Sequence, residues 1–227
     1  DRYYKHIVLW DEENLEVVGA YRIAECKEII KEQGKDALYI TSLFNLSDGF
    51  DKYLDNAIEL GRSFVQPKYW GSRALDYLWQ GIGAYLSKNP EIRYLYGAVS
   101  LSATYPKAAK DIILHFFDKN FHDVDKLIEA KLPYNFFNDK DLNEALRYEF
   151  NLPTYKENFK NLKQSLSIMD TSVPVLYKQY SDLCEDGGIK FCAYNIDPDF
   201  SNCVDSFILV DINKIKDTHK KRYFTQE

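Results

Sequence analysis

No stretch of the 227 residues approaches the roughly 18–20 consecutive apolar positions that a membrane-spanning helix requires. Nor does the chain open on a secretory leader, since its first residues are the charged and aromatic DRYYKHIVLW. No initiator Met stands at position 1, so Asp1 reads as a trimmed boundary. Basic charge is in short supply. With 29 Lys and Arg against 35 Asp and Glu, the formal net charge is −6. That argues against general nucleic-acid binding, which needs a basic face, and leaves any anionic ligand to a local cluster. Cysteine is scarce as well. Cys26, Cys184, Cys192 and Cys203 show neither CxxC spacing nor a paired-histidine pattern, so they read as reduced, buried thiols of a cytosolic protein rather than a zinc module or disulfide framework. His115 and His122 have no acidic or cysteine ligand at metal spacing. They read as structural, and no metal is expected.

What is plentiful is apolar and aromatic surface. Hydrophobic residues make up 45% of the chain and charged residues 28%, enough for the core of one sizeable domain or one domain with a large insertion. Aromatic residues reach 15%, with core filling as the default explanation.

The chain order is strand-rich at both ends. Residues 6–11 (HIVLWD) and 17–24 (VVGAYRIA) form a predicted hairpin around DEENLE, followed by a short helix over 25–33. A third strand covers 57–65. From Ser72 to Lys88, Leu75, Leu78, Trp79, Ile82, Tyr85 and Leu86 recur at helical spacing. A fourth strand spans 93–101, and Ala108, Ala109, Ile112, Ile113, Phe116 and Phe117 mark a second amphipathic helix. The more polar stretch 119–170, with short helices near 140–149 and 155–168, reads as an insertion or lid. A helix near 174–184 and strands at 189–196 and 205–212 close the chain. The expected fold is a mixed α/β sheet flanked by helices, with one parallel crossover and no internal repeats. Residues 1–118 and 171–227 form its core and 119–170 the helical insertion.

The most informative run is Glu59-Leu-Gly-Arg-Ser-Phe-Val-Gln-Pro-Lys-Tyr-Trp-Gly-Ser-Arg73. A strand passes through a short turn straight into an amphipathic helix, which aims free backbone N–H groups and the positive helix end at one spot. Gln66, Lys68, Tyr69, Trp70, Gly71, Ser72, Arg73 and Ala74 form the candidate phosphate cradle. Gly71 allows close approach, and Lys68 and Arg73 add charge. Many α/β proteins carry such a junction without a ligand, so the geometry alone leaves both readings open.

The run ELGRSFVQPKYWGSRALDYLWQGI resembles the central motif of GNAT-fold acyltransferases, in the branch of ornithine-lipid synthases and hemolysin-like acyltransferases. It is more distantly similar to acyl-homoserine lactone synthases, whose strand carries Glu-x-x-Arg. The likeness continues through HIVLWD…EVVGAYRI, RYLYGAVSLS and VPVLYKQYSDLCEDGGIKFCAYNIDPDFSNCVDSFILVDI, and so covers most of the chain. It implies an acyl-phosphopantetheine donor, either acyl carrier protein or coenzyme A, an amino-acid acceptor, and a role in lipid biosynthesis. It also implies a cytoplasmic place, with peripheral contact at the inner membrane. The aromatic residues would then also suit an acyl tunnel. The common GNAT cradle has two or more glycines where this one has only Gly71, which favours the single phosphate of a carrier protein over the pyrophosphate of coenzyme A.

Amine acylation needs a proton acceptor and support for the developing oxyanion. Glu59 is the candidate base. Arg62 is the candidate to orient an acceptor carboxylate or donor phosphate. Against this stands a solvated Glu–Arg pair worth little. Ser100 and Ser102 could supply hydroxyls near the thioester, or could simply form a turn or helix cap. Asp197, Asp199 and Asp205 could receive the acceptor's ammonium, though Asp-Pro-Asp is also ordinary turn chemistry. His6 and Asp11 formally match an HxxxxD motif. Residues five apart on a strand face opposite sides, so they are not a catalytic pair. The same parity puts Glu59 and Arg62 on opposite faces of a regular strand. A shared site therefore requires a bulge near Leu60–Gly61.

GNAT domains normally begin with a strand and one or two helices ahead of the hairpin placed here at residues 6–24. An upstream segment, and a further acyltransferase domain with it, is accordingly expected. Without that segment the exposed sheet face should be met by dimerisation, by cover from the 119–170 insertion, or by weak activity. Two rival readings remain: a small-molecule N-acetyltransferase using acetyl coenzyme A, and a catalytically silent docking module of a larger acyltransferase.

Overall fold

Alternating and continuous apolar runs set the sheet. In the computed structural model, which describes residues 2–137 and 149–224, β1 (Lys5–Asp11) and β2 (Glu16–Glu25) form the expected hairpin. Helix α1 (Cys26–Gln33) follows, ending at Gly34 with φ +85°. Three short helical turns, the strand β3 (Phe44–Leu46) and the single-turn helix α2 (Asp51–Leu54) then lead into β4 (Ala57–Val65). Helix α3 (Ala74–Lys88) buries Leu78, Trp79, Ile82 and Leu86, the face its spacing predicts. After it come β5 (Tyr94–Leu101), α4 (Lys107–Phe121), β6 (Ile128–Ala130), α5 (Tyr155–Ile168) and α6 (Val175–Leu183). Strands β7 (Ile189–Asp197) and β8 (Cys203–Asp211) and helix α7 (Asp217–Tyr223) close the chain. The helix expected near 140–149 lies almost wholly outside the described residues.

The six-stranded sheet runs β1-β2-β4-β5-β8-β7. Only β4 and β5 are parallel, and α3 is their crossover. One face packs on α3, α4, α5 and α6 through Trp79, Phe116, Phe117, Leu162 and Tyr177, all essentially without solvent contact. The other packs on α1, α2 and a two-stranded sheet of β3 and β6 through Ile29, Phe44, Phe50, Tyr96 and Phe207. Burying each such side chain stabilises the fold by about 1.5–3 kcal/mol. The described parts of 119–170 are woven into this packing. Leu162 and Leu166 of α5 sit in the main core, and Ile128 of β6 lies in the second. Neither β3–β6 nor α7 was anticipated from the sequence, because three-residue strands have no period to read and a helix of seven residues barely has one. Among the described residues no helix is long and apolar enough to cross a membrane.

One contact shapes the site. β4 and β5 pair only from Ala57–Leu60 against Tyr94–Gly97, then part while each continues for several residues. At the last pair, a Cβ on Gly97 would stand 2.1 Å from the Leu60 carbonyl oxygen. Only glycine lets the strands close this tightly before they diverge.

Candidate active site

Past that contact, the parted ends of β4 and β5 leave a cleft of about 660 Å³, bordered by Tyr39, Arg62, Ser100, Asp197, Cys203 and Asp205 among others. Arg62 reaches it through a bulge. Arg22 pairs with Gly61 and Ala20 with Phe64, so β4 holds one residue more than β2 between these pairs. Arg62 absorbs the excess at φ +50°, a left-handed conformation that costs a side-chain-bearing residue about 1–2 kcal/mol. Parity called for a break near Leu60–Gly61 if Glu59 and Arg62 served one site. It falls one residue later, and Gly61 stays in the ladder. The Arg62 guanidinium lies 5.2 Å from the centroid of the Tyr39 ring.

Glu59 does not reach this cleft. It is 2% exposed, and its carboxylate is filled by three donors from other segments. The Ile40 N–H gives 2.6 Å to Oε1, while the Tyr4 hydroxyl at 2.6 Å and the Tyr39 N–H at 3.3 Å meet Oε2. Burial raises its pKa, and these hydrogen bonds pull it back. Three donors occupy most of the roughly four acceptor positions of this carboxylate. Glu59, expected as the base, lies outside the cleft-bordering residues and hydrogen-bonds the Tyr39–Ile40 turn and Tyr4 to β4.

Asp205 does border the cleft, as do the carboxylates of Asp197 and Asp199. It pairs with Ser100 across the β5–β8 ladder and accepts the Ser100 hydroxyl at 2.5 Å, with the Cys203 thiol at 3.7 Å. Its pKa is raised, first by burial; Ser100 works against the shift, and the charge of Asp197 adds to it. Asp197 accepts the N–H groups of Asp199 at 2.9 Å and Phe200 at 3.2 Å, capping the turn that carries exposed Asp199 into the cleft wall. Ser102 is also at the cleft. Its hydroxyl lies 2.9 Å from Thr104 Oγ1 and accepts the Thr104 N–H at 3.2 Å, which is turn chemistry ahead of α4. Arg62, Ser100, Ser102, Asp197, Asp199 and Asp205 thus meet around one space. Tyr39 and Cys203 join them unannounced, Cys203 with burial pushing its thiol up to about 12. Tyr39 comes from an irregular segment with no motif, and nothing in the local pattern could have found it.

The 66–74 loop lies outside the residues bordering the cleft. Three of the expected cradle residues are spent on anchoring it to the β1–β2 hairpin. The Gln66 amide donates to the Val17 carbonyl, Lys68 pairs with Glu16, and the Tyr69 hydroxyl lies 2.6 Å from Asp11 and 2.7 Å from Glu16. Trp70, 72% exposed, donates its indole N–H to the Val65 carbonyl at 2.8 Å. Gly71 turns at φ +77°, and the Ser72 hydroxyl accepts the N–H of buried Ala74 at 3.1 Å. That leaves the amides of Leu75 and Asp76 at the open helix end. The Arg73 side chain is 68% exposed and 3.8 Å from Asp76. Asp76 is itself held by Arg222 and by the Tyr223 hydroxyl. The loop therefore presents one guanidinium and one helix end, a donor set that fits a single phosphate. Among the described residues, no group of three His, Cys, Asp or Glu is placed to hold a metal ion.

Residues 1–80 match the model of the acetyltransferase (GNAT) domain. A glycine N(alpha)-acyltransferase of Phocaeicola vulgatus is 32% identical over 229 residues, which cover 97% of this chain and 69% of that protein. The chain belongs to the GNAT acyltransferases. An L-ornithine N(alpha)-acyltransferase of Brucella abortus shares 29% identity over 143 residues, 58% of this chain and 47% of that one. A solved CoA-dependent acyl-homoserine lactone synthase aligns at 11% identity and a TM-score of 0.41, over all of this chain and 72% of its own. The resemblance carried by ELGRSFVQPKYWGSR is borne out, and the six-stranded mixed sheet is the fold expected from it. This GNAT chain spans about two thirds of the length of its glycine-acylating relative.

Proposed function

We propose that this chain transfers a fatty acyl group from a phosphopantetheine thioester to the α-amine of an amino acid, forming an amide and releasing the thiol. The observation that carries the proposal is the cleft itself, where the guanidinium of Arg62 on β4 and the carboxylates of Asp197 and Asp205 border one space. An amino acid is a zwitterion and needs both signs. Arg62 meets its carboxylate, and Asp205 takes a proton from its ammonium. Burial makes Asp205 a stronger proton acceptor than an exposed carboxylate. The freed amine attacks the thioester carbonyl carbon; a C–N bond forms, the C–S bond breaks, and the proton held by Asp205 passes to the departing sulfur. The second proton, shed by the nitrogen as it becomes the amide, is taken by the restored Asp205 carboxylate and released to solvent. Ser102 offers its hydroxyl to the carbonyl oxygen as it gains charge, and Ser100, whose single proton is donated to Asp205 until that carboxylate is protonated, can then join it. Glu59 positions Tyr39 and takes no proton.

The donor is acyl carrier protein. With Lys68 engaged by Glu16, Arg73 and the first amides of α3 suffice for one phosphate and are thin for a pyrophosphate. The name of the Phocaeicola relative supports glycine as acceptor, and an N-acyl amino acid is then a membrane-lipid product. The test measures thiol release from long-chain acyl carrier protein and from acyl coenzyme A, each against a panel of amino acids. Release from the carrier that depends on an amino acid supports the reading. Turnover confined to acetyl coenzyme A would overturn it.

A further inference from the structure

The cleft has an inner end. Leu60, Gly61, Ser63, Ala98, Val99 and Leu176 border it and also line a smaller cavity of about 10 Å³, set between the sheet and α6. Tyr21, Leu95, Tyr180 and Ile208, all buried, close this space. Its side chains are apolar apart from Ser63 and three tyrosines. Tyr21 is the β2 residue between the pairs Ala20–Phe64 and Arg22–Gly61, so it stands opposite the bulge residues Arg62 and Ser63. The bulge that turns Arg62 toward the transfer cleft therefore leaves Ser63 beside Tyr21 at the cavity wall. Two donors at this corner lack partners. Among the described residues nothing meets the Tyr21 hydroxyl or the Trp79 indole N–H at hydrogen-bonding geometry, and these residues are 2% and 1% exposed. Burial pushes the Tyr21 hydroxyl up to about 12, and the nearness of Ser63, Tyr180 and Trp79 acts against the shift. Native interiors satisfy nearly all such buried groups, with ordered water where the protein does not reach. Roughly 10–15 Å³ holds one water, given two to four polar partners. The cavity has that size, with Tyr21 and Trp79 to donate and Ser63 to accept.

We propose that a single buried water, bound by Tyr21, Trp79 and Ser63, fixes the depth of the transfer cleft and so limits the length of the acyl chain. The limit on length rests on the fatty-acyl reading above; the water site does not. An acyl chain lying along Leu60, Val99 and Leu176 is favoured methylene by methylene until its methyl end meets the water. Going further expels the water, strands two donors against hydrocarbon, and finds no room for another carbon. Apolar sites reject one methylene too many by about 10- to 200-fold, and the step at this stop falls in that range.

The experiment compares wild type, Tyr21→Phe and Ser63→Ala. High-resolution crystals of the wild type should show a water within ~3.2 Å of Tyr21 Oη and Ser63 Oγ, and a well-ordered corner without one would overturn the proposal. Tyr21→Phe should lower the urea midpoint, because a bonded hydroxyl is lost. Deleting a stranded hydroxyl would instead leave the midpoint unchanged or raise it, and either result counts against the water. Thiol release is measured with carrier proteins bearing a ladder of acyl lengths. In the wild type, kcat/KM drops at least about tenfold from the best chain to the next longer one. Tyr21→Phe loosens the water and opens room where the hydroxyl stood, so it cuts that drop by about tenfold. Ser63→Ala moves it the same way and carries the test if Tyr21→Phe does not fold. An undiminished drop in folded variants would refute the stop. If the wild type turns over no acyl chain at all, the functional reading fails and the stop with it, while the crystal and urea results decide the water site on their own.

Discussion

Replacing Glu59 separates a strut from a base. In Glu59→Ala, the Ile40 N–H, which is fully buried, and the Tyr4 hydroxyl both lose partners now at 2.6 Å. Each orphaned donor costs about 1–3 kcal/mol. Part of that is returned, because the buried carboxylate, whose pKa burial raises, no longer has to be kept ionised. A net loss of about 2–4 kcal/mol results, a large share of the roughly 5–15 kcal/mol that stabilises a typical domain. Glu59→Gln keeps an oxygen for Ile40, and the Tyr39 N–H can lean on the Tyr4 oxygen already 3.1 Å away. Its loss is therefore about 1–2 kcal/mol, and its turnover stays within about tenfold of wild type. A true proton acceptor behaves in the opposite way, since its amide loses about 10²–10⁴ in rate with little change in stability. Urea unfolding and thiol release on the same preparations read both quantities. A Glu59→Gln protein with an unchanged urea midpoint and kcat down a hundredfold or more would refute the strut and restore Glu59 as base.

Asp205→Asn should lower kcat by about 10²–10⁴ and remove the acid limb of the rate profile, which lies above the ordinary Asp value of 3.8 because burial raises this carboxyl. A raised folded-state pKa means that this group's contribution to stability is present below 3.8 and lost as pH rises through the folded value. The Asn variant should therefore compare better with wild type at pH 7 than at pH 3.5 by thermal melting, and the reverse order would contradict the assignment. Arg73→Glu should raise the donor KM about ten- to a hundredfold at low salt and less at high salt; a donor KM unmoved at any salt would take the loop out of phosphate binding. Gly97→Ala places a methyl 2.1 Å from a backbone oxygen. It should cost at least the upper end of the usual overpacking range of about 1–3 kcal/mol, read as a shifted urea midpoint, and a neutral result would mean the β4–β5 contact is not tight.

Sequence alone determined what depends on neighbours along the chain. Strands β1, β2, β4, β5, β7 and β8 and helices α3 and α4 were legible because period-2 and period-3.6 burial are local patterns. The turn-rich 66–74 loop was legible because turn chemistry is local too. Parity pointed to a β4 bulge on the premise that Glu59 and Arg62 share a site; the bulge is there, but only Arg62 borders the cleft. Tertiary structure alone decided the roles. Glu59 and Asp205 are both carboxylates on strands. One is sealed by Tyr4, Tyr39 and Ile40, which arrive from 55, 20 and 19 residues away. The other, equally buried at 2% exposed, borders the cleft, where its partner Ser100 lies 105 residues distant. Lys68 and Tyr69 turned to the hairpin because Asp11 and Glu16 stand beside the loop only in three dimensions. Whether a charged group acts as ligand, base or brace depends on the donors that long-range packing brings to it and on the solvent that packing removes, and neither is written in the residues that flank it.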